Sequence, residues 1–341
     1  MKKFILKIST FSIPILLAIV LVNYIGDSAH LYNTDYEVKM AKIVKQGDYV
    51  TNIDNYDERI FQKEIIENQE NTPETIILGS SKAMFIDGAL IGDSSVFNHA
   101  VSSASLEDYI AIYQLYKENN SLPQKVVIDV EPHLFNKNNK LERWKSIQDF
   151  YYNFKKETNS NNDIGKYEEL ISLSYFQSSL PKLFKVITGG AEPESTQSKF
   201  NSTNTKLTDG TLVYGKSIRE GGKIRRDKKV SLLLAGKMSS IEEFNSIDKG
   251  LWKEFESLIS DMRKNNITVE FFLCPHHPDV YNRVKEDYEM VIETEDLIVK
   301  YARDQNIKLY GSFSPYAFEL DETFFYDGLH CNKDGLEKIY L

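Results

Sequence analysis

The chain has 341 residues, 41% hydrophobic and 27% charged, enough apolar content for one large domain with room for an insertion. Lys and Arg number 41 against 50 Asp and Glu, and the net charge of −9 argues against a general nucleic-acid binder, which would carry a basic footprint. With only Cys274 and Cys331, the chain is not a disulfide scaffold.

Lys2, Lys3 and Lys7 precede an apolar stretch over 8–22, and the segment counted over residues 4–24 is just long enough to cross a bilayer core of about 30 Å. Basic residues before it and Asp27 after it make segment 1–28 an expected uncleaved single-pass anchor in the cell membrane, with the rest of the chain extracytoplasmic. A cleaved signal peptide, giving a secreted protein, is the rival reading, and residues 24–29 offer it a poor small-x-small site. Residues 29–73 read as a polar juxtamembrane segment with one helix near 56–68.

The main domain is expected over 74–341. Thr75, Ile76, Ile77 and Leu78 form a β-branched and apolar run that stops at Gly79, Ser80 and Ser81, the pattern of a buried strand breaking into a tight turn. A short helical stretch and a second strand over 95–101 follow. Ser105 and Asp108 resemble a capping box, and Leu106, Tyr109, Ile110 and Tyr113 repeat at helical spacing. A third strand over 125–130 exits at Glu131 and Pro132. Strand and helix alternating at these intervals predict a parallel sheet. The pattern is interrupted over 137–246, a stretch rich in Asn, Lys, Ser and Thr that reads as a large, mostly helical insertion. Helices are expected there at 144–156 and 167–180, with a hairpin around 211–217. The α/β pattern resumes with an amphipathic helix through Leu251, Phe255, Leu258, Ile259 and Met262. A fourth strand over 269–273, a long charged helix over 279–304, a fifth strand over 307–310 and a terminal helix from about Lys333 complete it.

A serine at the carboxyl end of a buried strand stands on the rim where open α/β sheets build their sites, although Gly and Ser also make ordinary turns. Near the other end of the chain, Asp327 and His330 are spaced so that the carboxylate reaches Nδ1–H while Nε2 faces a serine, and Gly328 permits the bend. Neither element is specific alone. Their combination at strand exits of one sheet is what points to serine chemistry.

Taken together, the chain resembles an SGNH/GDSL-type serine hydrolase or acyltransferase. Gly79-Ser80-Ser81 corresponds to the first block of that family, Asn98-His99-Ala100-Val101-Ser102-Ser103 resembles the second, and Asp327-Gly328-Leu329-His330 the last. The resemblance covers about 74–136 and 251–341. It implies a flavodoxin-like three-layer α/β sandwich around a mainly parallel five-stranded sheet. It also implies Ser81 as nucleophile, His330 as base and Asp327 as its orienter, with the Ser81 and Ser103 N–H groups in the oxyanion hole. Ser103 stands where the family has glycine. After strand three, where the family carries Gly-x-Asn-Asp, this chain has Val130-Glu131-Pro132-His133, so one oxyanion donor has no counterpart. Within the family, the chain is most similar to the membrane-anchored extracytoplasmic branch of polysaccharide O-acetylation and teichoic-acid D-alanyl transfer proteins, which work beside a membrane-bound O-acyltransferase.

Lys82, Asn98 and His277 are candidate substrate contacts, each with a plainer reading: a solvated lysine, a turn brace and an exposed loop histidine. A metal site through His276, His277, His330 and Asp327 lacks a ligand-spaced motif, so no metal and no cofactor are expected. Cys274 and Cys331 could pair or be buried fillers. Lys216, Arg219, Lys223, Arg225, Arg226, Lys228 and Lys229 form a basic stretch that could hold an anionic glycan, a teichoic chain or lipid headgroups, or be a solvated face. The expected activity is acyl transfer or hydrolysis, through an acyl-serine, on acyl (acetyl foremost) groups of a cell-envelope polysaccharide or teichoic-acid acceptor. The alternative is a non-catalytic scaffold for a membrane acyltransferase or glycan-export complex.

Overall fold

The computed structural model describes all residues except 1, 28–31, 33, 54, 55, 158–166, 188–191, 239 and 341, and only the backbone of 2–9 and 185–187. Among the described residues, nine strands form two sheets: β1 (Tyr49–Thr51), β2 (Thr75–Leu78), β3 (Val96–Asn98), β4 (Lys125–Asp129), β5 (Glu194–Thr196), β6 (Thr205–Lys206), β7 (Leu212–Val213), β8 (Thr268–Leu273) and β9 (Lys308–Gly311). The principal sheet has the order β3-β2-β4-β8-β9 and every pair in it is parallel. In order of appearance this is 2-1-3-4-5, with the reversal point between β2 and β4.

Side chains alternate across this sheet with period two. Ile76, Leu78, Val126, Ile128, Phe271 and Leu273 point into the larger core, while Ile77, Val127 and Phe272 point into a second core on the other face. Helices at Leu106–Glu118, Lys249–Lys264 and Glu289–Asp304 cover the first face, and the terminal helix at Lys333–Tyr340 covers the second. The helix at Lys249–Lys264 shows why such segments form where they do. Its N-cap Asp248 accepts from the Gly250 and Leu251 N–H groups, and Phe255, Leu258, Ile259 and Met262 are buried at helical spacing. Losing such a cap costs about 1 kcal/mol.

Three expectations need correction. The charged stretch 279–304 is two helices, Pro278–Asp287 and Glu289–Asp304, broken at Tyr288, whose backbone is non-helical (φ −134°, ψ 60°) and whose hydroxyl donates to Glu242 at 2.7 Å. Segment 29–73 is not simply polar. It adds a helix at Asp35–Lys45 and strand β1 to the expected helix, found at Glu58–Asn68, and these bury their own small core of Met40, Val50, Phe61 and Ile65. The insertion is not only helical: its strands β5 and β6 sandwich β1, and β7 completes a four-stranded antiparallel sheet in the order β5-β1-β6-β7. The expected hairpin is β6–β7, turning over 207–211, slightly earlier than the sequence suggests.

At the N-terminus a helix runs over Lys2–Gly26 and leans on the insertion helix Leu173–Ile187. The Asn23 amide donates to the Glu169, Leu170 and Ser172 carbonyls, and the Tyr175 hydroxyl donates to Asp27 at 2.7 Å. Among the described residues, no helix is long and apolar enough to cross a membrane. The side chains of Lys2, Lys3 and Lys7, and Ser28 and Ala29 of the weak cleavage site, lie outside the described residues.

Candidate active site

Ser81 follows β2 at the reversal point of the sheet. The turn that carries it requires Gly79, because a Cβ there would come within 2.5 Å of the Ala83 Cβ and 3.0 Å of the Asp129 Cβ. Ser81 is half-buried, and its Oγ lies 2.9 Å from His330 Nε2. On the other side of the ring, Nδ1 is 2.9 Å from each Asp327 carboxylate oxygen. Asp327 Oδ1 also accepts from the Leu329 and His330 N–H groups, so the turn holds its own carboxylate in place. Gly328 serves that turn through space rather than dihedral freedom: a Cβ would meet Leu233 at 2.7 Å and Val280 at 2.9 Å.

Burial works against ionisation of Asp327, but the His330 imidazole and the two amides outweigh it and hold the carboxyl at about 2. The carboxylate accepts a hydrogen bond from Nδ1–H and thereby fixes the tautomer that leaves Nε2 free to take a proton from Ser81. A hydroxyl so placed can become a nucleophile without itself having a lowered pKa.

The second turn runs through Ser102, Ser103 and Ala104, and three neighbours clamp it. Glu58 accepts from both the Ser102 N–H and its hydroxyl. Arg59 donates to the Ser103 carbonyl at 3.3 Å while forking onto Asp108 at 2.8 and 2.9 Å. His133 donates to the Ala104 carbonyl at 2.8 Å. Ser103 itself is held at φ +51°, a left-handed conformation that favours glycine. Among the described residues, the Ser81 and Ser103 N–H groups have no hydrogen-bond acceptor. Both are therefore available to an incoming oxygen.

The other sequence candidates are placed inside the protein. Asn98 is fully buried, donating to the Ala83 and Ile86 carbonyls and accepting from the Ala100 N–H, so it braces the Ser81 turn against β3. Lys82 is buried with its ammonium 2.6 Å from Glu131 and 3.3 Å from His276. His277 is buried as the N-cap of the helix at Pro278–Asp287, its Nδ1 accepting from the Asp279 N–H. All three are buried; Asn98 and Lys82 engage neighbouring groups of the fold, while among the described residues His277 Nε2 has no hydrogen-bond partner. Cys274 and Cys331 are both free and buried beneath the site. Among the described residues, no group of three or more His, Cys, Asp or Glu side chains is placed to hold a metal ion.

Several site neighbours are invisible to motif reading. Phe85 and Tyr214 stand edge-on to the His330 ring, each at 6.1 Å, and Tyr326 packs against both of them at 5.8 and 5.2 Å, tilted on Phe85 and edge-on to Tyr214. Tyr214 comes from the insertion, and the basic stretch comes with it. Arg219 donates to the Tyr214 carbonyl at 2.7 Å and Arg225 to the Tyr326 carbonyl at 3.2 Å. Glu58 and Arg59 carried no motif because they sit on an ordinary amphipathic helix. A buried cluster of Asp129, Glu131, His133 and Lys82 lies behind the two turns. Ser80 donates to Asp129 through both its N–H and hydroxyl at 3.3 Å. Burial first, then the neighbouring Glu131 charge, raises the Asp129 pKa, while Lys82 and His133 overcome burial to hold Glu131 well below the usual carboxylate range.

No family model matches the chain, and comparison with curated proteins finds no match.

Proposed function

We propose that the chain is an SGNH-type serine acyltransferase or esterase acting through an acyl-Ser81 intermediate. The observation that carries this reading is the unbroken Ser81–His330–Asp327 contact, 2.9 Å at each step, at the reversal point of an all-parallel sheet. His330 takes the Ser81 proton as Oγ attacks an acyl carbonyl, Asp327 stabilises the resulting imidazolium, and the Ser81 and Ser103 N–H groups receive the oxyanion. Expulsion of the donor alcohol leaves the acyl-serine, which an acceptor hydroxyl or water then attacks by the reverse proton path.

The half-buried rings of Tyr214 and Tyr326 packed on the buried Phe85, with Arg219 and Arg225 bonded to their backbone, fit a sugar hydroxyl of an anionic envelope polysaccharide or teichoic-acid chain. The substrate class and an extracytoplasmic location beside a membrane-bound O-acyltransferase rest on the sequence resemblance and the apolar N-terminal helix.

A non-catalytic scaffold is the second reading, favoured by the absence of an asparagine after β4. Intact-mass measurement after exposure to a fluorophosphonate separates the two. A single adduct on the wild type, absent from Ser81→Ala and His330→Ala, is expected for the enzyme. No adduct on folded wild type, alone or with its membrane partner, would leave the scaffold.

A further inference from the structure

The two turns whose N–H groups are unclaimed are physically joined. Lys82 follows Ser81, and Ala104 follows Ser103. Lys82 Nζ is 2.6 Å from Glu131 Oε2, the same oxygen is 3.5 Å from His133 Nδ1, and His133 Nε2 is 2.8 Å from the Ala104 carbonyl. A carbonyl can only accept, so Nε2 carries a proton and donates it, while the Glu131 carboxylate near Nδ1 outweighs burial and raises the His133 pKa, favouring the protonated ring. His133 thus bridges a carboxylate and a backbone oxygen. Lys82, Glu131 and His133 are 7%, 3% and 5% exposed, and charges so buried are costly unless paired, which gives this chain of contacts a tightly defined geometry. It sits at the exit of β4, the place left without an asparagine.

We propose that Glu131 and His133 are positioning residues. They hold the Ser81 and Ser103 amides in register through Lys82 and Ala104, so that two backbone donors suffice where the family resemblance implies three. Neither side chain meets the substrate. The inference rests on the reading of Ser81 as a nucleophile.

The test uses the full chain in detergent and follows the saturation kinetics of fluorophosphonate labelling, alongside amide spectra of [15N]serine-labelled protein. In Glu131→Gln and in His133→Gln the maximal labelling rate should fall about 10- to 100-fold, less than the 10²–10³ of removing an oxyanion donor outright. The half-saturating probe concentration should be unchanged. The double variant should be no slower than the slower single, because the two act as one link. His133→Lys, which keeps a charged donor, should retain more rate than His133→Gln; a purely steric role would not produce that order. In His133→Gln the Ser81 and Ser103 amide signals should move together while that of Ser257, on the exposed face of a sheet-covering helix, stays fixed. Wild-type labelling rates in both single variants would overturn the proposal, as would unmoved Ser81 and Ser103 amides. If the wild type is unreactive but the two amides still move together, the link stands and the nucleophile reading fails instead.

Discussion

Tyr214 of the insertion stands edge-on to the imidazole of His330, with ring centroids 6.1 Å apart and planes at 86°. Phe85 holds the same ring at the same distance and angle. An edge-on aromatic contact is worth about 1 kcal/mol beyond the area it buries. Tyr214→Ala is therefore expected to slow Ser81 labelling about fivefold by loosening the ring, a conversion at ~1.4 kcal/mol per tenfold. Tyr214→Phe should keep the wild-type rate. Equal losses in both variants would assign the effect to the hydroxyl instead.

Asp327 should matter to both rate and acid stability. In Asp327→Asn the wrong imidazole tautomer is favoured, and labelling should drop by about 10⁴. The Asp327 carboxyl is held at about 2 against an ordinary value of 3.8, so on acidification the unfolded chain binds this proton first. The stabilisation is complete above about pH 4 and is lost as pH falls through about 2, with a size of about 2 kcal/mol. Denaturant melts of wild type and Asp327→Asn should differ most above pH 4 and converge toward pH 2.

Gly79→Ala places a methyl 2.5 Å from the buried Ala83 Cβ. Overpacking of this kind costs about 1–3 kcal/mol. A Tm lower by several degrees, with slower Ser81 labelling, is expected from thermal unfolding and probe kinetics. An unchanged Tm would mean that the turn yields without strain.

Ser103→Gly removes a left-handed residue at φ +51°, relieving about 1–2 kcal/mol, and adds chain entropy to the unfolded state worth about 0.5–1 kcal/mol. The net change in stability should be a gain of about 0–1.5 kcal/mol, and the labelling rate should hold because the amide remains. Ser103→Val should lose both. Loss of labelling in the glycine variant would show that the Ser103 side chain, and not its N–H, serves the site.

The sequence by itself determined the parallel sheet, because Thr75–Leu78, Lys125–Asp129 and Thr268–Leu273 are short apolar runs cut off by turn residues, a pattern few other structures can satisfy. It also marked Ser81, Asp327 and His330, since Asp-x-x-His within one turn is a local geometry that spacing alone specifies. Tertiary structure decided what spacing cannot express. Glu58 and Arg59 look like ordinary helix-surface residues until Glu58–Asn68 docks beside the Ser102–Ser103 turn, and Tyr214 belongs to the site only because β6 pairs with β1 and β7 with β6. Lys82 and His277 read as solvent-facing polar residues, yet both are buried. Whether a polar side chain faces water or a partner depends on groups far away in the chain: Lys82 finds Glu131 across the reversal point of the sheet, and His277 lies under the Gly328 carbonyl that accepts its N–H. Local sequence fixes which groups are available, and long-range packing sets which of them meet.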